Sequence, residues 1–166
     1  KYRQHQLVFM NLQGRMFKES SADWGPAVNQ PANSRGLASG DIDHDGDLDM
    51  FLLNNSFKAI GSFNLKENER NKRDSLGGHK FFRNDDGYFN DVSEAAGIYG
   101  SIIGFGLGVT VGDVDNDGWQ DIYVSNDFFE RDYLYINQHN GTFKEELENQ
   151  MISISNASMG ADMADI

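Results

Sequence analysis

The chain has 166 residues, 39 % of them apolar and 24 % charged, enough to bury one core and too apolar for a disordered tail. Its 26 acidic residues against 14 basic ones give a net charge of −12, which argues against a nucleic-acid face, since phosphate contacts need basic surface. With no cysteine, disulfides and thiolate metal sites are excluded, and no apolar run reaches the ~20 residues of a bilayer span. There is no signal-peptide pattern, and the first residue is Lys1 and not Met, so the start reads as processed or cut.

In chain order, residues 1–20 hold an aromatic residue, an Asn, a Gly turn and a Phe: Phe9, Asn11, Gly14 and Phe17. They read as the last two strands of a four-stranded unit. A complete unit follows at 36–92, with strands at 37–40, 49–54, 80–84 and 88–92 and an insertion at 56–79 that is rich in Lys, Arg, Asn and Gly. Its hairpin repeats the first pattern in Phe82, Asn84, Gly87 and Phe89. A second complete unit covers 105–146, with strands at 107–112, 121–125, 132–137 and 142–145, and the pattern returns in Tyr135, Asn137, Gly141 and Phe143. Short helical turns are expected at 93–96 and 146–150. Residues 157–166 start a third unit.

Two series interleave at a steady offset. Asn11 precedes Asp41 by 30 residues, Asn84 precedes Asp113 by 29, and Asn137 precedes Asp165 by 28. Residues 50–53 and 122–124 are unbroken apolar runs, which fits strands covered on both faces by stacked sheets. Four strands per unit and a period of ~40–60 residues point to β-propeller blades. The expected fold is therefore all-β: a partial β-propeller with two complete four-stranded blades and parts of the blades before and after. Two blades and two halves leave unpaired edges, so the chain reads as a fragment of a larger protein.

The acidic excess is concentrated. Asp41, Asp43, Asp45, Asp47 and Asp49 fall within nine residues, as do Asp113, Asp115, Asp117 and Asp121; without those nine acids the net charge would be −3. Both stretches fit D-x-D-x-D-G-x-x-D. Alternate carboxylates in a tightly curled loop face one centre, and Gly at the sixth position permits the sharp turn. The seventh residue, Asp47 or Trp119, would offer its backbone carbonyl, and the ninth Asp both its oxygens. Such hard oxygen donors suit Ca²⁺ better than Mg²⁺, and the absence of Cys disfavours Zn²⁺. His44, at a fourth position, is expected to point outward. Without a cation each pair of carboxylates at ~4 Å repels by roughly 1–4 kcal/mol. About two complete Ca²⁺ sites are expected, with Asp165 opening a third loop. The twelfth positions are Leu52 and Val124, within strands, so an EF-hand is disfavoured.

These units resemble the FG-GAP/VCBS repeats of integrin-α-type propellers, and in particular those of bacterial surface proteins that often precede an ASPIC/UnbV domain. The resemblance rests on Gly40 to Asn54, on Phe82 to Ser93, and on Gly104-Phe105-Gly106 and Tyr135-Ile136-Asn137. It covers nearly the whole chain outside the insertion; the third hairpin departs from it, with Glu145-Glu146-Leu147 in place of an Asp-Val-Thr-like ending. It implies a Ca²⁺-stabilised propeller segment of an exported or cell-surface protein, bacterial and outer-membrane-associated, that serves in adhesion, scaffolding or recognition of a protein or cell-surface glycan. The segment could also belong to a larger surface complex.

No nucleophile elbow, P-loop or dinucleotide fingerprint occurs, so no catalytic role is expected of the segment itself. The alternative is a scaffold within an extracellular propeller enzyme acting on glycan or lipid. Gly104 to Gly108 reads as close backbone packing. Trp24, Trp119, Tyr88, Phe128, Phe129 and Tyr133 read mainly as packing between blades, with Phe128 and Phe129 the most exposed pair.

Overall fold

A computed structural model of the chain describes residues 4–58, 69–128 and 130–164. The middle of the insertion, Phe129 and Asp165 lie outside the described residues. The strands are β1 (Gln4–His5), β2 (Phe9–Leu12), β3 (Met16–Glu19), β4 (Pro31–Ala32), β5 (Ser34–Gly40), β6 (Asp49–Asn54), β7 (Lys80–Asp85), β8 (Tyr88–Asp91), β9 (Gly106–Gly112), β10 (Asp121–Asn126), β11 (Tyr133–Asn137) and β12 (Phe143–Glu145). A 3-10 turn covers Ser21–Trp24, and one helical turn, α1, covers Leu147–Gln150.

Strands β5 to β8 and β9 to β12 each form a four-stranded antiparallel meander in chain order. The eight expected strands are present to within three residues at either end. The helical turn expected at 93–96 is a hydrogen-bonded turn, closed by Ala96 N–H donating to Val92 O at 2.8 Å. The pairing of β1 with β4 has no sequence signal, since each strand has only two residues.

Alternation explains the unbroken apolar runs. In β6, Phe51 and Leu53 face the second sheet, while Met50 and Leu52 face outward. In β11, Tyr133 and Tyr135 face inward and Leu134 and Ile136 outward. The inward sets, with Ile122, Val124 and Phe143, merge into one core between the sheets. Each outer face then needs its own cover. Val28, Trp24 and Val8 cover the first sheet, and Leu147 of α1 covers the second. Burial on both faces therefore accounts for strands that lack a polar side.

The sheets approach closely at β9. A Cβ added at Gly106 would lie 2.4 Å from Leu53 Cδ1 and 2.7 Å from His79 Cε1, so only glycine lets β9 run against β6. Within the insertion, residues 69–79 are packed and not looped out. Asp74 N–H donates to Gly100 O at 2.7 Å, Ile102 N–H to Lys72 O at 2.8 Å, and Arg70 pairs with the buried Glu130 at 2.7 Å. This half of the insertion braces the connection between the sheets.

Residues 157–164 form no strand among the described residues, yet they run along the second sheet. Ser158 N–H donates to Asn126 O at 3.0 Å, and Thr110 Oγ1 donates to Ala161 O at 2.8 Å. The first sheet makes the same approach where Ser56 N–H donates to Gly104 O at 2.9 Å.

Candidate metal centre

Each acidic loop joins the first two strands of a sheet, β5 to β6 and β9 to β10. The two backbones turn at the same two positions. The fourth residue has positive φ in both, 62° at His44 and 60° at Asn116, and the sixth-position glycines have φ of 98° and 89°. A β-branched or bulky residue at that sixth position would be strained.

Hydrogen bonds within the loops fold the carboxylates inward. Gly46 N–H reaches Asp41 at 3.4 Å, and Gly118 N–H reaches Asp113 at 2.9 Å. Asp47 N–H donates to Asp45 at 2.9 Å, and Trp119 N–H to Asp117 at 2.8 Å. As a result, Asp41, Asp43 and Asp45 each offer an oxygen within 4.8 Å of one another, and Asp113, Asp115 and Asp117 do the same. Three carboxylates this close repel, and a hard divalent cation relieves the repulsion. Partial burial, followed by the charge of Asp45, raises the Asp43 pKa.

The ninth-position acids stand apart from these triads. Asp49 and Asp121 are fully buried. One Asp49 oxygen accepts Ile42 N–H at 3.0 Å and the other accepts Asn84 N–H at 2.9 Å. Asp121 accepts Val114 N–H at 2.9 Å and Asn137 N–H at 2.8 Å in the same way. Each therefore ties the start of its loop to the hairpin behind it, and each oxygen keeps a further lone pair. Burial raises both pKa values, that of Asp49 to about 6, against the pull of the two backbone N–H donors.

The repeated Asn completes this tie, a role that sequence reasoning left unassigned. Asn84 Nδ2 donates to Leu48 O at 3.2 Å while its Oδ1 accepts Gly87 N–H at 2.8 Å. Asn137 Nδ2 donates to Gln120 O at 3.1 Å and its Oδ1 accepts His139 N–H at 3.0 Å. Asn137 Nδ2 also reaches Ile42 O of the other loop at 2.9 Å. The available signal was the recurrence of Asn in every hairpin, although the regular offset runs to the following loop while Asn84 and Asn137 meet Asp49 and Asp121 of the preceding one.

The seventh residues differ. The Asp47 side chain accepts Asp86 N–H at 2.9 Å from the hairpin of its own sheet. Trp119 instead stacks on His44 of the first loop, with ring centroids 4.1 Å apart, and on His139 at 4.9 Å. His44 is exposed, as expected, but rests on that indole. His139 Nε2 bonds Asp117 Oδ2, which lowers the Asp117 pKa. Nothing in the sequence pairs His139 with the second loop, because it lies 22 residues beyond Asp117.

Among the other aromatics, Tyr133 is buried between the sheets and Trp119 bridges them, as expected of packing between blades. Trp24 departs from that expectation and packs on Phe89 of the outer face, with centroids 5.7 Å apart. Phe128 and Tyr88 are exposed. No helix among the described residues is long and apolar enough to cross a membrane.

Residues 113–166 match the family model of the FG-GAP-like repeat. No curated protein matches the chain. The matched span opens on the first aspartate of the second loop and includes β10 to β12. The all-β architecture of four-stranded antiparallel sheets is consistent with a partial propeller of FG-GAP type. An FG-GAP repeat points to an integrin-like propeller segment.

Proposed function

We propose that the chain is a Ca²⁺-binding propeller segment in which the cation has a structural role. The observation that carries this reading is the pair of equivalent triads, Asp41/Asp43/Asp45 and Asp113/Asp115/Asp117, at the same place in two stacked sheets. Each triad has hard oxygen donors on a loop already curled by its own backbone N–H groups. When bound, the ion offsets carboxylate repulsion. The residues of the chain hold the loop against the Asn-anchored hairpin behind it. Asp49 and Asp121, whose oxygens each keep a further lone pair, are the additional donors of this reading. Asp165 would open a third loop.

The segment acts in adhesion, scaffolding or partner recognition on an exported or cell-surface protein of the bacterial, ASPIC/UnbV-associated type. The likeness to integrin-type repeats supports this. A protein or cell-surface glycan is the expected partner, and no catalytic role is assigned to the segment.

The test is Ca²⁺ titration by calorimetry, together with thermal melting with and without EDTA. Two sites are expected, with Asp45→Ala and Asp117→Ala each removing one. At free Ca²⁺ near 100 times Kd, each site adds ~2.7 kcal/mol to stability. Absence of binding heat together with an unchanged Tm in EDTA would refute the structural-metal reading.

A further inference from the structure

The two acidic loops touch each other, and they do so through residues that lie between candidate ligands. His44 stands between Asp43 and Asp45 of the first loop with φ of 62°, so its ring is aimed by the stretch on which those two carboxylates converge. That ring stacks on Trp119 of the second loop, with centroids 4.1 Å apart. Trp119 is in turn tied to its own loop twice. Its N–H donates to Asp117 at 2.8 Å, and its indole also stacks on His139, whose Nε2 bonds the same carboxylate. An unbroken run of contacts thus joins the Asp43–Asp45 stretch to Asp117.

A second run joins the buried acids. Ile42, between Asp41 and Asp43, donates its N–H to Asp49 at 3.0 Å, and its carbonyl accepts Asn137 Nδ2 at 2.9 Å. Asn137 N–H then donates to Asp121 at 2.8 Å. Gly40, just before the first loop, packs so closely on Gln120 that a Cβ there would lie 2.0 Å from Gln120 Oε1. Packed rings and hydrogen-bond chains of this kind carry energetic coupling between sites when the elements they join have two arrangements. Each loop has two: its carboxylates drawn together, or pushed apart by their own repulsion.

From this we infer that the two loops switch as one unit, so that ordering either loop orders the other, with His44 and Trp119 as the positioning residues that transmit the change. For cations the inference rests on the Ca²⁺ reading above: an ion in one loop raises the affinity of the other, by the same factor in both directions. Through-space electrostatics acts in the opposite sense, because a filled loop attracts a second cation less, and at physiological salt it is screened beyond ~8 Å. The sign of the coupling therefore separates contact from charge.

Calorimetric Ca²⁺ titration of the full chain at physiological salt reads that sign. Asp45→Ala, which removes the first site, is expected to weaken the second about fivefold, and Asp117→Ala should weaken the first by the same factor. Trp119→Ala keeps the backbone carbonyl and both sites but should cut this dependence to below about twofold, and Trp119→Phe, which keeps a ring for His44, should restore it. A second measurement needs no cation. In EDTA, Gly46→Val strains the first loop at its φ of 98°, and amide exchange at Gly118 in the second loop should quicken about fivefold, but not in the Trp119→Ala background. Independent affinities, a second site strengthened by Asp45→Ala, a dependence unchanged by Trp119→Ala, or exchange at Gly118 indifferent to Gly46→Val would each overturn the inference. Absence of binding heat with the exchange effect still transmitted would overturn the metal reading alone and support the joined loops.

Discussion

The two acidic loops share a backbone but are secured differently. The first has a fifth carboxylate, Asp47, which holds the hairpin of its own sheet through Asp86 N–H. The second has Trp119 at that place, and its indole spans the gap between sheets, sandwiched by His44 and His139. At the seventh position the first loop is therefore fastened within its own blade, and the second both to its own hairpin through His139 and to the neighbouring loop through His44. The same nine-residue motif thus tolerates a change at the seventh position, because the backbone carbonyl there is independent of the side chain, which is left free for whatever neighbour the fold supplies.

The largest test of the common part is removal of the buried acids. Asp49→Ala and Asp121→Ala each leave two backbone N–H groups without their acceptor, and each is expected to cost ~2–4 kcal/mol in urea unfolding. If either loss stayed below ~1 kcal/mol, the tie between loop and hairpin would be incidental.

Next is the aromatic bridge. Trp119→Ala should cost ~1–2 kcal/mol, and a double-mutant cycle with His44→Ala should show a coupling of ~0.5–1.5 kcal/mol. The corresponding change in the first loop, Asp47→Ala, removes one hydrogen bond and should cost ~0.5–1.5 kcal/mol, with no coupling to His44. Coupling of similar size in both cycles would erase the distinction between the two fastenings.

A separate effect is on pH dependence in metal-free protein. Burial raises the folded pKa of Asp49 to about 6, above the unfolded value near 3.8. In that window the folded state holds a proton that the unfolded chain has released. The contribution of Asp49 to stability is therefore full below about 3.8 and is lost as the pH rises through about 6. Asp121 is raised in the same direction. Carboxyl ¹³C titration should place the Asp49 midpoint near 6, and an ordinary aspartate value would remove this pH effect.

Much of this was legible in the sequence because it repeats. The Asn and Asp series place the loops and hairpins, and the apolar runs at 50–53 and 122–124 announce cover on both faces. What stayed hidden depends on approach between elements distant in the chain. The ring sandwich joins His44, Trp119 and His139 from three separate turns. Trp24 covers an outer face because residues 21–28 fold back over β7 and β8, a path no periodicity records. The tie made by Asp49 and Asp121 was missed for another reason: a carboxylate that accepts backbone N–H groups and one that ligates a metal have the same letter and the same spacing.

Asn137 has one further consequence. Its amide holds Gln120 O of its own blade and Ile42 O of the neighbouring blade at once. A pull on the second hairpin is thereby shared with the first loop, so under mechanical load the two sheets should yield together. Single-molecule stretching would register one rupture for the pair, and Asn137→Ala would split it into two.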